Sequence, residues 1–169
     1  MCYNKDSNCT SRAEGQLEPN TLGFIERCDE GGSPWSTPWF FTGKKDGGLR
    51  PLQDYRVVNS YTVHDVYLIP WIEQILEELK GKMLFTALDI RWGYHNIRIC
   101  KEDQWKAVFK TPYGLFKPKV MFFGLSNSPP TFQRFMDRIF APLKQKYPGL
   151  LFIYMDDILI ATGEDIELH

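Results

Sequence analysis

No apolar stretch of the sequence approaches the roughly 18 residues that would span a bilayer as a helix. The longest, Leu150 to Met155, resumes at Ile158 to Ala161 only after two aspartates. The N-terminus (Met1, Cys2, Tyr3, Asn4, Lys5, Asp6) lacks a charged region followed by an apolar one. A secretory route is therefore not expected, the protein is read as intracellular, and the Asn8-Cys9-Thr10 glycosylation match is read as chance. Cysteine is scarce: Cys2, Cys9, Cys28 and Cys100 form no Cys-x-x-Cys pair, which argues against a zinc site and a disulfide framework and for reduced structural thiols. His64, His95 and His169 have no metal-ligand spacing and are read as structural. Repeats, low-complexity segments and a Gly-rich phosphate loop are also missing. The composition, 43% hydrophobic and 24% charged over 169 residues, fits one compact domain with one core.

Net charge is only −1, which on its own argues against an indiscriminate polyanion binder. The charge is nevertheless sorted along the chain. Residues 91–149 carry a net +8, whereas residues 150–169 carry −5. In the basic block Arg91, Arg98, Lys101, Lys106, Lys110, Lys117, Lys119, Arg134 and Arg138 alternate with Trp92, Tyr94, Trp105, Phe109, Tyr113, Phe116 and Phe132. Two readings stand: phosphate attraction with base stacking, or core aromatics under a solvated basic face.

The first 32 residues read as a polar leader with a short helix around Glu18 to Arg27, ending in the Glu30-Gly31-Gly32 break. Trp39 to Thr42 and Leu49 to Tyr55, joined through Lys45-Asp46-Gly47-Gly48, predict a β-hairpin with a basic tip. Pro70 opens a helix whose Ile72, Ile75, Leu76 and Leu79 share a face that would cover a sheet, and Gly81 closes it. Leu84 to Leu88 predicts a buried strand ending at Asp89, followed by strand-like stretches at Ile97 to Cys100 and Trp105 to Thr111. Ser128 is placed as the cap of a helix begun by Pro129 and Pro130, with Phe132, Phe135, Met136, Ile139, Phe140 and Leu143 inward. Gln133, Arg134, Asp137 and Arg138 lie on its opposite face. The two apolar runs around Asp156-Asp157 predict an antiparallel hairpin with the carboxylates at its tip. Helices on one face of a mainly antiparallel sheet make an α+β layer.

Two readings of Asp156-Asp157 stand: taken alone it is an ordinary hairpin-tip dipeptide, but adjacent carboxylates between apolar runs are costly unless something compensates their charge, and a divalent cation would do so. Asp89, at the end of a strand in the same sheet, would be a third hard oxygen donor, suited to Mg²⁺ or Mn²⁺. Two such ions support phosphoryl transfer. Lys44 and Lys45, with Arg50 on the returning strand, are either solvated charge or a clamp for nucleotide phosphates.

Four strings carry a family resemblance: Leu49 to Asn59 (LRPLQDYRVVN), Phe85 to His95 (FTALDIRWGYH), Phe123 to Gln133 (FGLSNSPPTFQ) and Tyr154-Met155-Asp156-Asp157. The last resembles the Tyr-x-Asp-Asp box of reverse transcriptases, and the set is similar to gypsy-type LTR retrotransposon polymerases, over about residues 17 to 168. The resemblance implies a right-hand polymerase palm with a fingers hairpin. Residues 1–32 would be a leader with a short helix, 33–83 a fingers-like hairpin and helix, and 84–169 the palm. It further implies Asp89, Asp156 and Asp157 as the metal-binding catalytic triad, and Lys44 and Arg50 as triphosphate contacts. Ile90 to Tyr94 would line the nucleotide pocket, with the Tyr94 ring excluding a ribose 2′-hydroxyl. Phe123 and Gly124 would lie beside the incoming base and sugar, and Gln133 would steady the template side. For Tyr94 the alternative is a core aromatic. Phe122 stands where many relatives have proline, touching no proposed ligand.

The implied activity is RNA- or DNA-templated DNA synthesis from a primer and deoxynucleoside triphosphates. The thumb, connection and RNase H regions of a parent polyprotein would lie outside the sequence, making synthesis weak and distributive. A non-catalytic relic that only binds nucleic acid is the alternative. A metal-dependent nuclease is a third reading, one that leaves Lys44, Arg50 and Tyr94 without a role.

Overall fold

The computed structural model describes residues 23–28, 32–43, 47–165, 167 and 169, except for the side chains of residues 49–51. Lys44 and Lys45, and the predicted leader helix up to residue 22, lie outside the described residues. The chain divides into two units that interleave in sequence: one takes the described residues up to Val58 together with Arg98–Val120, the other Asn59–Ile97 and Met121–His169.

The first unit is built on a five-stranded sheet of β1 (Ile25–Cys28), β2 (Thr37–Gly43), β3 (Leu49–Gln53), β5 (Phe109–Thr111) and β6 (Gly114–Pro118), in the order β1-β6-β5-β2-β3. The predicted hairpin is present: β2 and β3 are antiparallel from Trp39↔Gln53 to Gly43↔Leu49, and Gly47 takes the positive φ of 78° that glycine tolerates. Buried Thr37 and Trp39 alternate with exposed Pro38 and Phe40, the period of a half-buried strand. β2 also pairs in parallel with β5, Thr37 facing Phe109, so this sheet is mixed. β1 corrects part of the expected leader helix: Ile25 to Arg27 are extended and pair antiparallel with Phe116 to Pro118. Tyr55, Val108, Phe109 and Phe116 form the core, and the Tyr55 hydroxyl donates to the Ala107 carbonyl at 3.0 Å. The expected strands at Ile97 to Cys100 and Trp105 to Thr111 shrink to one isolated bridge, Arg98↔Val120, and to a 3-10 turn, Gln104–Ala107, before β5.

The second unit has a three-stranded antiparallel sheet of β4 (Leu84–Asp89), β7 (Leu151–Tyr154) and β8 (Asp157–Thr162), in the order β4-β8-β7. A short helix α1 (Arg56–Tyr61) leads into it, followed by α2 (Ile72–Glu78) and the long α3 (Ser128–Lys146), which packs on β7. Phe132, Met136, Phe152, Ile153, Ile158 and Ala161 are among its buried residues.

Several expectations are corrected here. The Ile72–Leu76 face exists, but Ile72 and Leu76 are 51% and 58% exposed, so α2 covers no sheet among the described residues. β4 is not buried either: it is an edge strand, and Phe85 and Leu88 are 52% and 49% exposed. Asn127, not Ser128, is the residue before α3, and the Ser128 hydroxyl instead donates to the Phe122 carbonyl at 3.2 Å. Phe135, Ile139 and Leu143, expected inward, are exposed, while Gln133, placed on the polar face by its spacing, is fully buried. Among the aromatics of the basic block, Tyr94, Phe109, Phe116 and Phe132 are core, and Trp92 and Trp105 are exposed.

Candidate functional site

The site is built where β4 ends and the β7–β8 hairpin turns. Tyr154 pairs with Asp157, leaving Met155 and Asp156 as a two-residue turn. The antiparallel ladder between β4 and β8 ends at Asp89↔Asp157, so these carboxylates are direct cross-strand partners. Such partners have Cβ atoms about 5 Å apart, and like charges there repel. Asp156 is the next residue in the turn, and its carbonyl accepts the Ile90 N–H at 3.2 Å, tying the end of β4 to the turn. Among the described residues, no three His, Cys, Asp or Glu side chains gather as a preformed metal cluster. The donors are nonetheless the hard oxygens that a divalent cation takes, with two of them opposed across a ladder. In kind, though not as a preformed cluster, they suit such an ion.

Met155 and Trp92 are non-glycine residues at positive φ, 55° and 56°. Such conformations cost on the order of 1 kcal/mol and concentrate at functional sites. The Met155 turn is held by Gln133 on α3: the Met155 N–H donates to its Oε1 at 2.7 Å, and its Nε2 donates to the Ile153 carbonyl at 3.3 Å and to Asp137 Oδ2 at 3.2 Å. This buried amide, 0% exposed, braces the hairpin from behind. Sequence reasoning placed Gln133 at the template and gave Asp137 no role; in the sequence, the pair shows only as two polar residues one turn apart.

Tyr94 lies in the 3-10 turn Gly93–Asn96. Its ring is 6% exposed, edge-on to Phe123 at 4.9 Å and tilted against Phe132 at 5.2 Å, and its hydroxyl donates to Met155 Sδ at 3.4 Å. Burial above all, and then the nearby Asp156 and Tyr154, push its phenol above the ordinary value. Phe123 is half exposed, Gly124 adopts φ 101° and its carbonyl accepts Asn59 Nδ2 at 2.8 Å. The Arg91 guanidinium lies over the Trp92 ring, 4.4 Å from its centroid. The second unit thus brings together Asp89, Ile90, Tyr94, Phe123, Gln133, Asp156 and Asp157. Arg50 belongs to the first unit, on β3 opposite Thr42. Of the histidines, His95 packs on Phe122 at 4.8 Å and burial lowers its pKa, while His169 bridges the Thr86 and Thr162 hydroxyls.

Gly93 was not singled out by its sequence. A Cβ there would meet Asp156 Cβ and Phe132 Cζ, both at 3.1 Å. Gly93→Ala is therefore expected to displace the turn that carries Asp156, costing about 1–3 kcal/mol of stability through overpacking. Urea unfolding measures that cost; an unchanged midpoint would mean that the turn yields freely.

Residues 42–169 match the family model described as reverse transcriptase (RNA-dependent DNA polymerase). The Tf2-3 and Tf2-7 transposon polyproteins of Schizosaccharomyces pombe are 39% and 38% identical over 130 residues. That alignment covers 77% of this chain, and the chain spans about a tenth (10%) of the length of these relatives. A foamy viral protease-reverse transcriptase solved in complex with an RNA/DNA hybrid superimposes with a TM-score of 0.80 at 23% identity, covering 99% of this chain and 21% of that one. A second, solved with double-stranded DNA, gives 0.74 at 25% identity, covering 83% of this chain and 24% of that one.

Proposed function

The chain belongs to the reverse transcriptase family, and from that membership we propose that it is the polymerase segment of a gypsy-type LTR retrotransposon polyprotein. The reaction is attack of a primer 3′-hydroxyl on the α-phosphate of a deoxynucleoside triphosphate, with pyrophosphate leaving, templated by RNA or DNA. The observation that carries this reading is the Asp89↔Asp157 register with Asp156 in the adjoining turn. Asp89, Asp156 and Asp157 would hold Mg²⁺ or Mn²⁺, which when bound favours the ionised primer hydroxyl and offsets the charge of the leaving pyrophosphate.

The chain's own residues then have distinct tasks. Gln133 fixes the turn that presents the two aspartates. Tyr94, walled by Phe123 and Phe132, limits the space beside the nucleotide sugar, favouring deoxynucleotides. Ile90 and Gly124 complete that pocket. Lys44 and Arg50 are assigned to the triphosphate on the resemblance alone. The palm and fingers division is proposed on the same footing, as is an intracellular site of action, cytoplasmic or nuclear. The nucleic acids bound by the foamy viral proteins support a primed template as the partner.

The test is primer extension on an RNA template by the purified chain, with Mg²⁺ or with chelator. Extension only with metal is expected. Binding without extension would instead establish the non-catalytic alternative, and strand shortening without nucleotides would establish a nuclease.

A further inference from the structure

Behind the aspartate turn, a row of polar groups runs from the surface of α3 to the Met155 peptide. Lys144 Nζ donates to Asp137 Oδ1 at 2.7 Å, the Tyr67 hydroxyl donates to Asp137 Oδ2 at 2.9 Å, and Gln133 Nε2 donates to the same oxygen at 3.2 Å. Gln133 Oε1 then accepts the Met155 N–H. An amide side chain can turn over, exchanging its donor and acceptor ends. An ionised carboxylate only accepts, so Asp137, together with the Ile153 carbonyl that accepts the same Nε2 at 3.3 Å, selects the orientation that points the Gln133 donor at these two acceptors and the acceptor at Met155. Burial works against that charge, but the hydrogen bonds from Lys144, Gln133 and Tyr67 together hold the Asp137 carboxyl below its usual pKa. The Tyr67 ring is kept in place by Arg134, whose guanidinium lies 4.9 Å from its centroid while pairing with Asp65 at 2.6 Å.

We propose that Asp137 is a positioning residue for the Tyr154–Asp157 turn, acting through the Gln133 amide on the Met155 peptide and so on Asp156 and Asp157. The role deepens the polymerase reading and rests on it for its use, while the coupling itself is physical. Without Asp137, only the Ile153 carbonyl still selects the orientation of the Gln133 amide, so the amide turns over more readily, setting a donor against the half-buried Met155 N–H and leaving that donor unpaired and its positive φ unsupported.

The experiment is amide hydrogen exchange by NMR on the 169-residue chain, with no metal, nucleotide or template. In Asp137→Leu, Met155 exchange is expected to accelerate by about tenfold, the loss of roughly one hydrogen bond, with the Phe152 and Ile158 amides unchanged. Asp137→Asn keeps the shape but can donate as well as accept, so it is expected to fall between the two and serves if the leucine variant does not fold. Met155 exchange within about twofold of wild type in a folded variant overturns the proposal. Uniform acceleration across β7 and β8 also overturns it, as the mark of a merely structural role. Coupling intact in a chain that extends no primer would count against the polymerase reading alone; coupling absent in an active chain would count against this inference alone.

Discussion

Asp89→Asn is expected to reduce metal-dependent primer extension by about 10³-fold, the equivalent of roughly 4 kcal/mol of lost charge stabilisation, while making the metal-free protein slightly more stable. The two effects have opposite signs for one reason. Asp89 faces Asp157 across the last rung of the β4–β8 ladder. Without a cation this is a like-charge pair, which destabilises by about 0.2–1 kcal/mol, and neutralising one member removes the repulsion. With a cation the same proximity becomes an asset, and the amide is a poorer ligand than the carboxylate. Both side chains lie on exposed positions, so solvent screening keeps the stability gain small. Extension rates with Mg²⁺, and urea midpoints in chelator, measure the two effects separately. A fall in both would mean that Asp89 acts as a structural residue.

Phe132→Ala is expected to destabilise the second unit by about 3–5 kcal/mol, the usual cost of truncating a buried phenylalanine. Phe132 is 1% exposed and touches two parts of the site and one neighbour on its own helix. Its ring lies against Tyr94, 6.3 Å from the Phe135 centroid, and within reach of any side chain added at Gly93. The cavity would open beside Tyr94, so the ring proposed to police the nucleotide sugar loses its wall. Chemical denaturation measures the stability. In the fraction that remains folded, incorporation of ribonucleotides relative to deoxynucleotides is expected to rise. A loss below about 1 kcal/mol would mean that the site collapses to fill the cavity.

What the sequence made legible was local. The carboxylate hairpin could be read because two apolar runs flank a polar dipeptide. The β2–β3 hairpin could be read because Asp46-Gly47 is a strong turn signal. Spacing reveals which residues share a face but not whether a neighbour covers it, so Ile72 and Leu76, or Phe85 and Leu88, were expected to be buried and are exposed. The strand at Ile25–Cys28 pairs with residues 115–118, and no local pattern near residue 25 announces so distant a partner. Gln133 looked like a surface residue because its polar amide faces backbone groups of β7 and the turn, partners that only the folded chain supplies. The same holds for Asp137 and Tyr67, 70 positions apart in sequence and 2.9 Å apart in space.

The proposed polymerase activity requires Asp89 to share a divalent cation with the Asp156–Asp157 turn. Equilibrium Mn²⁺ binding, followed by the loss of the free-ion paramagnetic resonance signal, tests this without nucleotide or template. Wild type should bind the ion, and Asp89→Asn and Asp156→Asn should each weaken binding by at least about tenfold. An Asp89→Asn chain that takes up Mn²⁺ as well as wild type would contradict it.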